Sequence, residues 1–546
     1  MTIFINQVGY LPRSAKFCVM GGTVGGVFRV LEAGTHRVIH QADLVPGGPD
    51  LGPYLLGDIS ALTGPGVYRV VCGGETSAVF RIAQEVYDEP IRKMVRCFSV
   101  QRCGASDTGY NRPCHLDDGR RSDNGKHQDV TGGWHDACDL RKWVGATIHG
   151  MIGLSRVAEM APAAASLQEV AAELRWGNRY FLNMQEPAGC VMNHCGGDFA
   201  RHADNNRWTD NVPDSPDDRV IDVRPCRPGG QFLFIQAQAA MDRLLRAEDP
   251  AFADRCRAAA LRCLQWCLEK SVAVTAGDYS AAISACVELY RATDDETYAD
   301  RAAAFARQLL ALQVWEPIGA EAPIRGFFRM SAADPEPFKD IVMGGAPVIA
   351  LADLLQHCAA HEDEPMWVQA LEMLCEGYLA PMAARNAFGL VPFGLYHKQE
   401  SGSPRRIGEY TYRYFMRPDP KWWVGINAHV AGTGVGLLAA ARLLGRQELA
   451  ALAQRQYDWV AGVNPFHAST AEDIGPNNPQ HMVSTEFTPG TPRIPGAVMN
   501  GIGGTEQDQP FLGPGSYHTC EYWTPMLSYT MWLAAALRGI DERRED

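Results

Sequence analysis

The segment DVTGGWHDACD, residues 129–139, sets two carboxylates, Asp136 and Asp139, three positions apart behind a tryptophan and a histidine. If the segment enters a helix, the two acids share a face about one turn apart. Carboxylates held that close repel, so they tend to share a proton or orient a water between them, which describes a general base. A helix start stabilised by its dipole accounts for the same spacing, and so does a metal site built from His135, Asp136 and Asp139. Just upstream, Cys103, Cys114 and His115 join His135 to supply two thiols and two imidazoles. A closed tetrahedral zinc prefers that set, although the spacing is not that of a standard finger and unbound side chains remain the alternative.

These residues need a scaffold. Residues 1 to about 85 read as strands: VFRVL (27–31), HRVIHQ (36–41), GVYRVV (66–71) and SAVFRI (77–82) carry β-branched and aromatic residues between turns. That pattern predicts a small immunoglobulin-like β-sandwich over 1–85. From residue 86 the texture turns helical. Leu167, Val170, Ala171 and Leu174 follow helical spacing, and Ser166 with Glu169 has the spacing of a capping box. Helix, short turn, helix recurs to the end, which predicts roughly twelve helices in six hairpins, a mainly α (α/α)6 barrel over 86–546. An open solenoid fits the same count.

Four long stretches, 103–142, 190–229, 385–425 and 462–523, are rich in Gly, Pro, Trp, Asp, Asn and His. Loops gathered at one end of such a ring would line a wet, aromatic cleft, suited to sugar rings that stack on aromatics and bond through hydroxyls. Trp134, Trp208, Trp422, Trp423, Tyr522 and Trp523 are candidate platforms, with Trp423 and Trp208 preferred, although large aromatics in an alanine-rich barrel are more often core.

Composition narrows the partners. A chain of 546 residues with 46% hydrophobic residues is a globular protein, and no apolar run spans a bilayer. A formal charge of −13 argues against nucleic acid. The first residues lack the features of a secretory leader, so a cytoplasmic location is expected, or a secreted one if a leader has been removed. Most of the 16 cysteines read as small buried hydrophobes.

Several blocks together resemble glycoside hydrolase family 9, the cellulases and their relatives. GGWHDACD followed by LRKW is similar to the family's GGWHDAGDYxKY, and INQVGYLP to the start of the immunoglobulin-like domain in one branch. WVGINAHVAGTG, AGVNPF and CEYWTPMLSYTMWLAA resemble a helix start, a turn and the C-terminal acid block, in the expected order. The resemblance implies an inverting β-glycosidase acting on β-linked glucans or gluco-oligosaccharides in an endoglucanase-like manner. Asp139 becomes the base, Asp136 a partner that helps hold the water, and Glu521 the general acid. Inversion places such groups about 6.5–9.5 Å apart across the sugar, and aromatics beside Glu521 would raise its pKa. The resemblance also implies a structural zinc on Cys103, Cys114, His115 and His135, and a hydroxyl contact from His481, which follows NNPQ where the family has HHR; Trp134, Trp208, Trp423 and Tyr522 complete the expected sugar contacts as stacking candidates. Calcium is common in the family but has no matched site here.

Three positions depart from the pattern. Cys138 replaces a glycine, Cys520 replaces the asparagine before the acid, and QHMV stands where the family has HHR. Loss of sugar-holding residues with all three acids kept points to altered substrate choice. The alternatives are an exo-acting β-glucosidase or β-glucosaminidase on imported oligosaccharides, and, in another class, a non-catalytic carbohydrate-binding protein.

Overall fold

The computed structural model of the chain describes residues 2–22, 26–109, 112–198, 203–204, 207–319, 323–397, 402–484 and 490–542. Its first part is a sandwich of two antiparallel sheets. One is formed by β1 (Ile3–Phe4), β2 (Phe17–Gly21), β6 (Tyr54–Asp58) and β5 (Val45–Pro46), in that order. The other runs β4 (Val38–Asp43), β3 (Val27–Glu32), β7 (Gly66–Cys72), β8 (Glu75–Thr76), with β9 (Phe80–Ile82) also on β7. All four strands expected from sequence fall in the second sheet. The first was missed because both of its faces are buried. Ile3, Cys18, Met20 and Leu55 point into the sandwich, while Phe4 and Val19 point into a cluster with Phe388, Trp459 and Ile426 of the helical part. A strand apolar on both faces loses its period-two signature.

That first sheet is therefore the docking face. Asp50 accepts from the hydroxyls of Tyr412 and Tyr414 at 2.6 and 3.0 Å, and Asn6 Nδ2 donates to the buried Asp458 at 2.7 Å.

Among the described residues the second part holds twelve helices of eleven residues or more. The inner six are α2 (Val144–Met160), α4 (Pro228–Leu245), α6 (Ala276–Thr293), α8 (Ala346–His357), α10 (Asn427–Leu443) and α12 (Thr524–Glu542). Each packs on the next and α12 packs back on α2, so the ring closes and the solenoid alternative falls. The outer six are α1 (Asp88–Val100), α3 (Leu167–Asn183), α5 (Pro250–Lys270), α7 (Glu296–Leu310), α9 (Glu364–Leu374) and α11 (Gln447–Val460). α3 to α11 each pack on the inner helix before them, and α1 packs on α12. The expected capping box is present at α3, with Glu169 N donating to Ser166 Oγ at 3.2 Å and Ser166 N to Glu169 Oε2 at 3.1 Å. Two amides that a helix start leaves orphaned are thereby satisfied.

Inner helices all run the same way, so the loops entering them gather at one end. Residues 136–143 lead into α2, 422–426 into α10 and 521–523 into α12. At the opposite end cations meet helix C-termini, where the dipole favours them: Arg243 and Arg291 pair with Glu288 at 2.6 and 2.7 Å.

Candidate active site

The segment around Asp136 and Asp139 is not helical, contrary to expectation; the helix begins only at Val144. Asp139 takes the backbone N–H of Arg141 on Oδ1 at 3.1 Å, a local turn that competes with helix formation. Asp136 N donates to Arg141 O at 3.0 Å, closing the loop. The other side is tied to the chain's end. Ala137 pairs with Trp523 as in an antiparallel ladder, and Thr524 donates both N–H and Oγ1–H to Asp136 O at 2.8 Å. Two segments nearly four hundred residues apart in sequence thus form one small element.

That pairing brings three carboxyl groups together. Glu521 sits in extended backbone, where alternate side chains face alternate sides. Trp523, two residues on, donates its Nε1–H to Asp136 Oδ2 at 3.2 Å. Burial pushes Glu521 up to about 8, and the neighbouring Asp139 adds to that, against the opposing Asn500 amide and Arg141. Asp136 is buried and lies well above the carboxylate range, first through desolvation and then through Asp139 and Glu521. Asp139 is partly exposed and ion-paired, with Oδ2 2.7 Å from Arg141 Nη1. One paired carboxylate faces two groups that favour their protons, the division of labour that acid–base chemistry needs.

Beside this trio lie Cys103, Cys114, His115 and His135, all buried, each with a donor atom within 4.8 Å of the others'. Cys103 Sγ is 3.5 Å from His115 Nδ1, and Cys114 Sγ is 3.9 Å from His135 Nε2. A tetrahedron with metal–S near 2.3 Å and metal–N near 2.1 Å has edges of roughly 3.4–3.8 Å, so the cluster can hold a metal ion. Burial alone would raise the Cys103 thiol, but Cys114, Lys142 and the two imidazoles hold it well below its ordinary value. The amides and carbonyls of Gly104 and Cys114 exchange hydrogen bonds at 3.0 and 3.1 Å, which holds the two cysteine-bearing segments side by side.

A buried ionic network links the cluster to the loop that carries Asp136 and Asp139. Asp118 receives Arg219 Nε at 2.7 Å and lies 2.7 Å from Lys142 Nζ, while Arg219 Nη2 reaches Cys103 Sγ at 3.8 Å. Lys142 also donates to Val130 O and Gly132 O at 2.7 and 3.2 Å. Charges this deep persist only when paired and hydrogen-bonded.

The expected sugar contacts fare differently. Trp134 is core: its ring is wholly buried against Phe98 at 5.0 Å and Phe181, and its Nε1 donates to Glu173 at 2.7 Å. It has no face left for a sugar. Its neighbour Gly177 has no room for a side chain, since a Cβ there would stand 2.0 Å from the Trp134 ring. Gly177→Ala is expected to cost about 1–3 kcal/mol by overpacking, read as a lower denaturation midpoint. Tyr522 is also buried, its hydroxyl bonded to Glu472 at 2.7 Å. Its ring instead backs His481, stacked at 5.3 Å, whose Nε2 lies 3.2 Å from Thr491 O. Trp208 stacks on His115 at 5.5 Å, so it packs on the Cys/His cluster. Trp423 is partly exposed, with one face covered by His518 at 4.0 Å.

Sequence reasoning passed over Arg141, although a cation two residues after a candidate base is a readable signal. It named Trp422 and Trp523 as platforms without preferring them. Trp422 is exposed and meets Trp523 edge-on at 6.0 Å, directly beside Asp136. Asn500, Asp118 and Arg219 carried no local signal.

Comparison with known proteins bears on the whole arrangement. A cellodextrinase from Butyrivibrio fibrisolvens is 27% identical over 215 residues, which cover 35% of this chain and 39% of that protein. Endoglucanase D from Acetivibrio thermocellus is 25% identical over 357 residues, 58% of this chain and 56% of that protein. The chain thus aligns with about two fifths to just over half the length of these curated relatives. Among solved structures, a zinc-binding triple mutant of a glycoside hydrolase family 9 endoglucanase shares the fold with a TM-score of 0.70, at 20% identity, covering 96% of this chain and 99% of that one. The cellulase N-terminal ig-like domain matches residues 1–77, and glycosyl hydrolase family 9 matches residues 87–511, a stretch that stops short of Glu521. With that match spanning most of the chain, and the sandwich and barrel in the same order, the chain belongs to glycosyl hydrolase family 9.

Proposed function

We propose that the protein is an inverting β-glycoside hydrolase acting on β-linked glucans or gluco-oligosaccharides. The observation that carries this reading is the convergence of Asp136, Asp139 and Glu521 from two distant segments, with Glu521 pushed up to about 8. Glu521, protonated at neutral pH, donates to the leaving glycosidic oxygen. Asp139 accepts a proton from the attacking water, which Asp136 helps to hold, and the water enters from the opposite face of the sugar. Trp422 and Trp523, exposed and half-exposed beside Asp136, are the aromatics that stack on the sugar, with Trp423 and His481 as further contacts.

Proton NMR of the first products tests the mechanism: the anomer inverted relative to the substrate is expected to appear first, and early retention overturns it. The relative named a cellodextrinase favours short soluble oligosaccharides over crystalline polymer. Chromatography across β-glucans, cellobiose and chitosan oligomers settles that choice; monosaccharide alone from the first minute replaces the endo reading with an exo one.

The metal fits zinc on the chemistry of its donors. Two thiols and two imidazoles with donor atoms all within 4.8 Å of one another suit a closed, structural site without an open position. Its place in the function is to pin the loop that carries His135 and thereby aim Asp136.

A further inference from the structure

Arg141 holds the carboxylate of Asp139 at both oxygens. Its backbone N–H donates to Oδ1 at 3.1 Å, and its Nη1 lies 2.7 Å from Oδ2. The contact is sheltered, with 16% and 24% of the two side chains exposed. An N–H and a guanidinium that flank a carboxylate set its plane and still leave acceptor capacity for a water. The arginine is itself anchored. Its carbonyl takes the Asp136 N–H at 3.0 Å, and the next residue, Lys142, is tied to Val130, Gly132 and Asp118. Glu521 feels the same cation, which opposes the upward push of burial and of Asp139.

We propose that Arg141 is the positioning residue of the base: it orients the Asp139 carboxylate to receive the proton of the attacking water and is that carboxylate's counter-ion. This rests on the hydrolase reading above. Arg141 touches no reacting atom and acts through Asp139. A lysine cannot fully replace it, because an ammonium supplies the charge without the planar fork.

The test compares wild type, Arg141→Ala and Arg141→Lys on the substrate that wild type cleaves best. Misplacing a reacting group by about 1 Å costs on the order of 100-fold, so R141A should lose about that much in kcat with KM little changed. R141K should recover part of the loss. Guanidinium chloride added at non-denaturing concentration should raise the rate of R141A and not that of wild type. Glu521, freed of the cation and still facing Asp136, Asp139 and the Cys138 thiol, should move further up and carry the alkaline limb of the pH–rate profile with it. R141A with wild-type kcat and an unmoved profile overturns the proposal; so does a loss confined to KM, or a loss with a lowered melting point and no rescue. A wild type that cleaves no β-glucan or oligosaccharide sinks the hydrolase reading instead, which separates the two failures.

Discussion

Glu521→Gln is expected to abolish nearly all turnover of substrates with poor leaving groups, by about 10²–10⁴-fold in kcat, because an amide cannot supply the proton that the departing sugar oxygen needs. The pH dependence follows from the same group. Wild-type activity should fall as pH rises through about 8, where Glu521 gives up its proton, and that limb should vanish in the variant. The same group's contribution to stability falls over the same pH range. A carboxyl raised from 4.5 to about 8 by folding binds its proton more tightly in the native state, so its contribution to stability is full below 4.5 and is lost as pH rises toward 8. Glu521→Gln removes that liability. It should melt higher than wild type at pH 8, with the advantage shrinking to nothing near pH 4. Wild-type turnover in this variant would remove Glu521 from the mechanism.

Metal removal is the second large effect. Closed Cys/His sites bind zinc with apparent free energies of about 10–16 kcal/mol, against about 1 kcal/mol for an ordinary hydrogen bond. Protein purified without chelator should carry about one zinc per chain by elemental analysis. Chelation, or Cys114→Ser, should lower the melting temperature, expose the stretch between Cys103 and His135 to protease, and reduce kcat through the loop that carries Asp136. Arg219 would make matters worse: it sits between Asp118 and Cys103, and loss of the metal leaves its surroundings without the order that the four ligands impose. Metal-free protein with an unchanged melt and full activity would end the structural role.

The positions of Trp134 and Tyr522 show why a motif alone misleads about contact. Both flank catalytic candidates in sequence, yet both point inward. Tyr522 follows Glu521 in extended backbone, where successive side chains take opposite sides, whereas Trp134, two residues before Asp136, is buried by packing against Phe98 and Phe181. Trp523 obeys the same rule with the opposite result, since it lies on the side of Glu521 and reaches Asp136. Local spacing was a poor guide to Asp136 and Asp139 as well. Their pairing depends on a turn closed by Arg141 and a two-strand contact with residue 523, neither of which a helix-period argument contains.

What the sequence determined by itself were the features written in local chemistry: the strands of the outer sheet, the capping box of Ser166 and Glu169, the hairpin rhythm of twelve helices, and the inventory of three acids and four metal-binding side chains. Each is carried by neighbours a few positions apart, where propensity and periodicity act. Only the tertiary structure decided which of these meet. The inner sheet lost its alternation because the barrel covers its second face; Glu521 acquired its high pKa from burial and from a carboxylate contributed by the other end of the barrel domain; and Arg141 became the counter-ion of that carboxylate. Such properties depend on desolvation and on charges at close range, and both exist only once the ring of helices has closed and brought its entering loops to one end.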